Sequence, residues 1–180
     1  MRKGEVIGLR WADVNWKAKT LVISGQIQRV AGKLERRVPK TKHSLRTIPV
    51  PDALIAALRD HQRAQEEERA LMGEKWKEHD LVFPSEVGTP IEPRNLSRHF
   101  KTVLKKVGLP QTTRFHDLRH SCATMMLAQG IPLQDVSAVL GHSSISITAD
   151  IYDHPDDART RAATSAADQA MQPEDEQSHD

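Results

Sequence analysis

Between residues 20 and 50 the chain contains short runs that alternate between hydrophobic and polar positions or are rich in β-branched residues, which is the pattern of β-strands. The pattern is found in four runs: residues 20–23, 26–30, 34–38 and 45–50. Ala31-Gly32 separates the second run from the third and is typical of a hairpin turn. We therefore expect the runs at 26–30, 34–38 and 45–50 to form a small antiparallel three-stranded sheet near the N-terminus, after the end of a helix over residues 2–9.

From residue 51 onward the apolar residues follow the helical period. Four segments are predicted to be helices: the stretch that begins at Pro51 and Asp52, and residues 95–107, 116–129 and 133–140. Residues 81–83 have the composition of a short strand. Glycines at 108, 130 and 141 follow the last three helices, where a helix commonly ends. The predicted fold class is α+β, a mostly helical domain with a small antiparallel three-stranded sheet near the N-terminus.

The same spacing predicts which helical side chains are buried. Three apolar sets are expected to face the core: Leu54, Ile55 and Leu58; Leu96, Phe100, Val103 and Leu104; Leu118, Cys122 and Met125. Cys122 is the single cysteine, so it cannot form an internal disulfide, and we expect it to be buried among apolar residues. His116 and Arg119 are one helical turn apart and therefore share a face.

Charge is distributed unevenly, although the net charge is only +2. Residues 1–50 carry 12 Lys and Arg against 3 Asp and Glu, and residues 91–121 carry 7 against 2. The segment between them is acidic, with 5 basic residues against 9 acidic ones. Two basic blocks in an otherwise acidic chain favour a surface built for a polyanion. The alternative is solvated surface charge that merely clusters.

Length and composition predict a single globular domain, because 180 residues with 38% hydrophobic side chains can fill one core. No apolar run approaches the roughly 18 residues of a membrane span, and no signal peptide is recognised at the N-terminus. We therefore expect a cytoplasmic protein that does not bind membranes. Residues 156–171 are rich in alanine and favour a further helix, and residues 172–180 read as a disordered acidic tail.

Two segments contain residues with candidate chemistry. Tyr152 is the only tyrosine, and His142 lies ten residues before it, directly after Gly141. The alternative for Tyr152 is an ordinary half-buried core residue. Residues 116–124 read HDLRHSCAT, in which the Arg119 guanidinium and the His116 imidazole could donate to the nonbridging oxygens of one phosphate. A bare HxxR pair is weak evidence, and structural ion pairing is the alternative.

The string HDLRHSCAT, followed by LGH at 140–142 and by Tyr152 at these distances, resembles the tyrosine recombinase family, also called phage integrases. Residues 1–11 resemble the family's first arginine motif, which implies that Arg2 is the first catalytic arginine and that Glu5 is its accompanying acid. Residues 39–49 resemble the hairpin that carries the catalytic lysine. The better match for that lysine is Lys40, with Lys42 as the alternative.

The resemblance implies a site-specific recombinase or integrase of a mobile element, whose catalytic domain here spans residues 1–171. Tyr152 would attack a DNA phosphodiester and keep the 3′-phosphate as a phosphotyrosine. Arg2 and Arg119 would neutralise the transition state, and His142 would add a hydrogen bond. The proton-transfer groups would be His116 at the tyrosine and Lys40 at the departing 5′-oxygen. No metal or other cofactor is expected, and the partners would be double-stranded DNA and other protomers of a tetramer.

Members of this family normally carry an N-terminal DNA-clamping domain and further helices before the first arginine motif. Neither is recognised here, so we expect a chain truncated at its N-terminus. One alternative function is therefore a non-catalytic DNA-binding remnant of an integrase. A metal-dependent hydrolase that uses some of the nine histidines is a second alternative, although no HExxH motif is present.

Overall fold

Five α-helices and five β-strands are found in residues 1–38 and 45–141, the part of the chain that the computed structural model describes. In chain order they are α1 (Lys3–Ile7), β1 (Val14–Asn15), β2 (Thr20–Ile23), β3 (Gln26–Val30), β4 (Lys33–Arg37), β5 (Arg46–Pro49), α2 (Asp52–Met72), α3 (Pro93–Lys106), α4 (Asp117–Ala128) and α5 (Leu133–Leu140). The predicted α+β class with a small antiparallel three-stranded sheet is confirmed. None of the helices in these two ranges is long and apolar enough to cross a membrane.

The three-stranded sheet contains different strands from those predicted. Its order is β1-β2-β5, whereas β3 and β4 form a separate antiparallel hairpin. Leu21 and Ile23 give β2 a strongly buried face, so β2 is the strand that gains most from a partner on each side. The β4 strand alternates exposed and half-buried positions, and its free edge lies outside the core. The predicted turn at Ala31-Gly32 is confirmed, because both residues adopt positive φ.

The main core lies between the three-stranded sheet and α2. It contains Leu9, Val14, Leu21, Ile23, Leu58 and Val82. A second cluster of Ile7, Ile27 and Leu81 packs α1 against the β3–β4 hairpin. Residues 81–83 do not form the predicted strand, since only one isolated bridge joins Leu81 to Arg10 and Pro84 has no N–H to extend the pairing.

The buried face of α4 is not the predicted one. Leu118 is 49% exposed, Met125 is 69% exposed, and Cys122 is exposed as well. The buried residues are instead Arg119 and Ala123, which are four positions apart. Ala123 joins Val136 and Leu140 of α5 in a third cluster, because its small side chain lets the two helices approach closely. Arg119 lies one turn earlier on the same face of α4, so the packing of Ala123 against α5 places Arg119 in the interior as well.

Smaller corrections apply to two other helices. Leu54 and Val103 were expected to be buried, but both are exposed. In each helix the neighbouring residue takes the core position, Ile55 in α2 and Leu104 in α3. A shift of one residue rotates a helix position by about 100°, so an apolar pair at the border of a face cannot both point inward.

Candidate active site

Arg2 lies at the start of α1 and joins that helix to the end of α5. Its backbone N–H donates to Glu5 Oε2 at 2.7 Å, and its Nη1 donates to Glu5 Oε1 at 3.1 Å. Its Nη2 donates to the Gly141 carbonyl oxygen at 2.9 Å. Residues that are 139 positions apart in the chain are thus in contact. Because both contacts restrict the guanidinium, Arg2 is held in one orientation.

Glu5 is buried and forms an ion pair with a second arginine, Arg46. Arg46, the first residue of β5, donates from Nη2 to Glu5 Oε2 at 2.9 Å and from Nη1 to Glu5 Oε1 at 3.2 Å. Burial alone raises the pKa of the Glu5 carboxyl, but the hydrogen bonds from Arg46 and the Arg2 amide, with the charges of both arginines, lower it below its ordinary value. Glu5 is therefore ionised at neutral pH and anchors both cations.

Arg119 is the least compensated charge of this group. Its side chain is buried, and among the described residues neither Nη1 nor Nη2 has a hydrogen-bond partner. Burial, followed by the charge of Arg2 and, more weakly, that of Arg46, lowers its pKa to about 10, although Glu5 acts in the opposite direction. A buried guanidinium without acceptors is costly. Such a group is suited to an anion that supplies the missing acceptors.

His116 precedes α4 and lies one turn from Arg119. Its ring is exposed and meets the His120 ring edge to face, with centroids 4.9 Å apart. Partial desolvation, then the charges of His120 and Arg119, lower the pKa of His116 below its ordinary value. The imidazole is therefore neutral at pH 7 and can accept a proton.

The structure brings together three of the predicted site residues, Arg2, Glu5 and Arg119, and His116 lies one helical turn from Arg119. Four other predicted positions lie outside the described residues: Lys40 with its alternative Lys42, His142 and Tyr152. The predicted helix at 156–171 and the predicted tail at 172–180 lie outside them too. The described part of the chain holds no group of three or more His, Cys, Asp or Glu side chains arranged to bind a metal ion.

Sequence reasoning missed Arg46 as a site residue and used it only as part of a motif. A signal was present in the sequence. Arg46 and Ile48 are two positions apart in one strand, so the arginine lies on the same face of the strand as an apolar side chain. An arginine on the apolar side of a strand predicts a buried ion pair, and its partner proves to be Glu5.

Comparison with known families gives a match over most of the sequence. The model described as "Phage integrase family" matches residues 1–159. The chain belongs to this family. The match includes the segments that contain Arg2, Arg119 and Tyr152.

Curated relatives agree with this family. A protein named tyrosine recombinase XerC-like, from Caldanaerobacter subterraneus subsp. tengcongensis, is 39% identical over 86% of this chain and 42% of its own length. An integrase from Streptomyces ambofaciens is 36% identical over 63% of this chain and 30% of its own length. The chain thus spans less than half the length of these relatives.

Solved structures with the same fold include a transposon integrase and a recombinase. The Tn1549 transposon integrase, in complex with transposon right end DNA, superposes with a TM-score of 0.77 at 24% identity, over 92% of this chain and 54% of that one. The XerA recombinase gives a TM-score of 0.65 at 22% identity, over 96% and 54%. At these identities the likeness shows the fold of the family's members.

Proposed function

We propose that residues 1–171 are the catalytic domain of a site-specific DNA recombinase that cleaves and rejoins strands through a 3′-phosphotyrosine at Tyr152. The observation that carries this proposal is the buried guanidinium of Arg119, whose terminal nitrogens have no hydrogen-bond partner among the described residues and which is close enough to the anchored Arg2 for that charge to lower its pKa. A DNA phosphodiester presents two nonbridging oxygens that accept from such groups. Membership of the phage integrase family supplies the reaction class.

The proposed reaction conserves the number of phosphodiester bonds. The phenolic oxygen of Tyr152 attacks phosphorus, the bond from phosphorus to the 5′-oxygen breaks, and the phosphate remains on the tyrosine. A 5′-hydroxyl from a partner strand then attacks the phosphotyrosine and releases the enzyme. Because every broken bond is replaced by one of similar energy, the reaction needs no ATP.

Each described site residue has a role in this scheme. Arg2 and Arg119 stabilise the charge on the pentacoordinate phosphorus, an electrostatic contribution that is usually the largest in such reactions. Glu5 holds Arg2 in place through two hydrogen bonds. His116, neutral at pH 7, accepts the proton that Tyr152 loses. We further propose that His142 donates a hydrogen bond to the phosphate.

The proposed partners are double-stranded DNA and further copies of the enzyme. Exchange between two duplexes requires four cleaved strands, so we propose a tetramer on synapsed DNA. The basic segments 1–50 and 91–121 would contact the phosphate backbone. A protein that acts on chromosomal DNA in this way works in the cytoplasm at the nucleoid.

Covalent capture tests the proposed function without knowledge of the target sequence. Nicked duplexes of random sequence are incubated with the chain in EDTA, and protein-linked DNA is recovered after denaturation. The nick lets the short 5′ strand leave, so the cleaved state accumulates. We expect enrichment of one sequence class in covalent form. Binding without any covalent product would instead identify a DNA-binding remnant. Cleavage that leaves no covalent product and appears only when divalent metal replaces EDTA would identify a metal-dependent hydrolase.

Replacement of Lys40 tests the proposed general acid. Lys40→Ala should slow cleavage of normal DNA by roughly 100-fold or more, because the departing 5′-oxygen then leaves without a proton. On DNA with a bridging 5′-sulfur the loss should be less than about tenfold, since a thiolate is a good leaving group. Single-turnover rates on the two substrates give both numbers.

Lys42→Ala is the matched control for Lys40→Ala. It removes the same charge two residues away and should slow both substrates equally and slightly. If Lys42→Ala, and not Lys40→Ala, is rescued by the sulfur substrate, then Lys42 is the acid. Equal losses on the two substrates for both variants would exclude this role for either lysine.

A further inference from the structure

Arg46 has no role in the proposed mechanism. It nevertheless contacts Glu5, which holds Arg2, and the end of α5, to which Arg2 also donates a hydrogen bond. We propose that Arg46 is a positioning residue for DNA cleavage, which orients Arg2 through the shared carboxylate of Glu5. The same side chain fixes the end of α5 through Val139. This inference rests on the proposed function, since the orientation of Arg2 matters only if Arg2 binds the scissile phosphate.

The Glu5 carboxylate is divided evenly between the two arginines. Oε1 accepts from Arg2 Nη1 and from Arg46 Nη1, and Oε2 accepts from the Arg2 backbone N–H and from Arg46 Nη2. The Arg46 and Glu5 side chains are only 7% and 3% exposed, whereas that of Arg2 is 39% exposed. The buried two-point pair therefore sets the plane of the carboxylate, and the more exposed Arg2 follows it.

The third nitrogen of Arg46 reaches the other side of the site. Its Nε donates to the Val139 carbonyl oxygen at 3.0 Å, in the last turn of α5, where carbonyls lack partners within the helix. Gly141 follows in the left-handed conformation (φ 71°), and its carbonyl accepts from Arg2. A Cβ at Gly141 would lie 2.8 Å from Arg46 Nη1, so the glycine makes room for this guanidinium.

One guanidinium thus joins β5 to both α1 and α5. Only arginine can do this, because its fixed fork places Nη1 and Nη2 on the carboxylate while Nε points to another acceptor. A lysine has one nitrogen and cannot reach Glu5 and Val139 together with the same geometry. Arg46→Lys should therefore retain part of the cleavage rate that is lost in Arg46→Met, but not the full wild-type rate.

Arg36 provides a matched control for a merely structural role. Like Arg46 it is a largely buried strand residue that forms an ion pair, with Asp13 at 3.2 Å, and donates from Nε to a backbone carbonyl, that of Gly8 at 2.9 Å. No contact joins Arg36 to Glu5 or Arg2 among the described residues. Arg36→Met should lower stability but leave the orientation of Arg2 unchanged.

The first measurement is single-turnover cleavage at saturating DNA, at a temperature where every variant is folded. Arg46→Met should lose roughly 100-fold, the effect expected when a reacting group is displaced by about 1 Å. Arg36→Met should stay within about threefold, since it leaves the site intact. The double variant Glu5→Gln/Arg46→Met should lose less than the product of the two single losses, because the two residues act together. Equal losses for Arg36→Met and Arg46→Met would overturn the inference.

The second measurement does not require activity. The Nη–H signals of Arg2, assigned by their loss in Arg2→Lys, should be shifted from the free-arginine position in the wild-type chain, because both Nη atoms donate hydrogen bonds. These signals should move toward the free-arginine position in Arg46→Met and stay in place in Arg36→Met. Unchanged Arg2 signals in Arg46→Met would overturn the inference. If the wild-type chain forms no covalent product, the proposed function fails, and these signals still decide whether Arg46 positions Arg2.

Discussion

Replacement of Arg119 with methionine should abolish strand cleavage and at the same time raise the free energy of unfolding. The guanidinium is buried, its two terminal nitrogens have no partner among the described residues, and the charge of Arg2 opposes it. Replacing a buried charge of this kind by an apolar side chain of similar volume stabilises a protein by about 1 kcal/mol or more. In the proposed mechanism cleavage is lost because the transition state loses one of the two arginines that stabilise it. Urea unfolding and single-turnover cleavage measure the two effects.

Arg114→Met is the control for Arg119→Met. Arg114 lies five residues earlier, its side chain is 76% exposed and it pairs with Asp117 at 3.0 Å, so its removal should change stability little. Inorganic sulfate should raise the melting temperature of the wild-type chain and of Arg114→Met more than that of Arg119→Met, since an anion that binds the native state stabilises it. An Arg119→Met variant that is less stable than wild type and still cleaves would contradict this account of the site.

The comparison of Arg119 with its neighbours shows what local spacing can predict. The motif HDLRHSCAT led to Arg119 because the chemistry of its residues is visible in sequence. The prediction of which face of the same helix is buried was wrong. The hydrophobic period selected Leu118, Cys122 and Met125, which are exposed. Which face of a helix is buried depends on the elements that pack against it. Here α5 packs against Ala123, and Arg119 is buried because it lies on the same face of α4.

Long-range pairings explain the other differences. The hairpin of β3 and β4 was predictable because its turn residues lie between its strands. The pairing of β2 with β5 was not predictable. The hairpin lies between these two strands in the chain, and the local sequence pattern does not indicate which distant strands pair. Arg46 was missed for the same reason. Its partner Glu5 is 41 positions away, and only the fold brings the two together.

Tyr152→Phe should eliminate the covalent product while leaving DNA affinity nearly unchanged. The variant lacks only the phenolic oxygen, which is the nucleophile in the proposed reaction. The phosphate contacts that supply most of the affinity come from Lys and Arg and are retained. Electrophoretic mobility shifts at a fixed salt concentration give the affinity, and denaturing gels give the covalent product.

The measurement that tests the central claim most directly is the mass spectrum of the captured complex. After nuclease and protease digestion of the wild-type product, the account predicts one modified peptide, with a 3′-phosphonucleotide attached to the oxygen of Tyr152. The neighbouring serines, Ser143, Ser144 and Ser146, lie in the same region of the chain and should be unmodified. A nucleotide attached to any of these serines, or to another residue while Tyr152 is free, would contradict the claim that Tyr152 cuts and rejoins DNA.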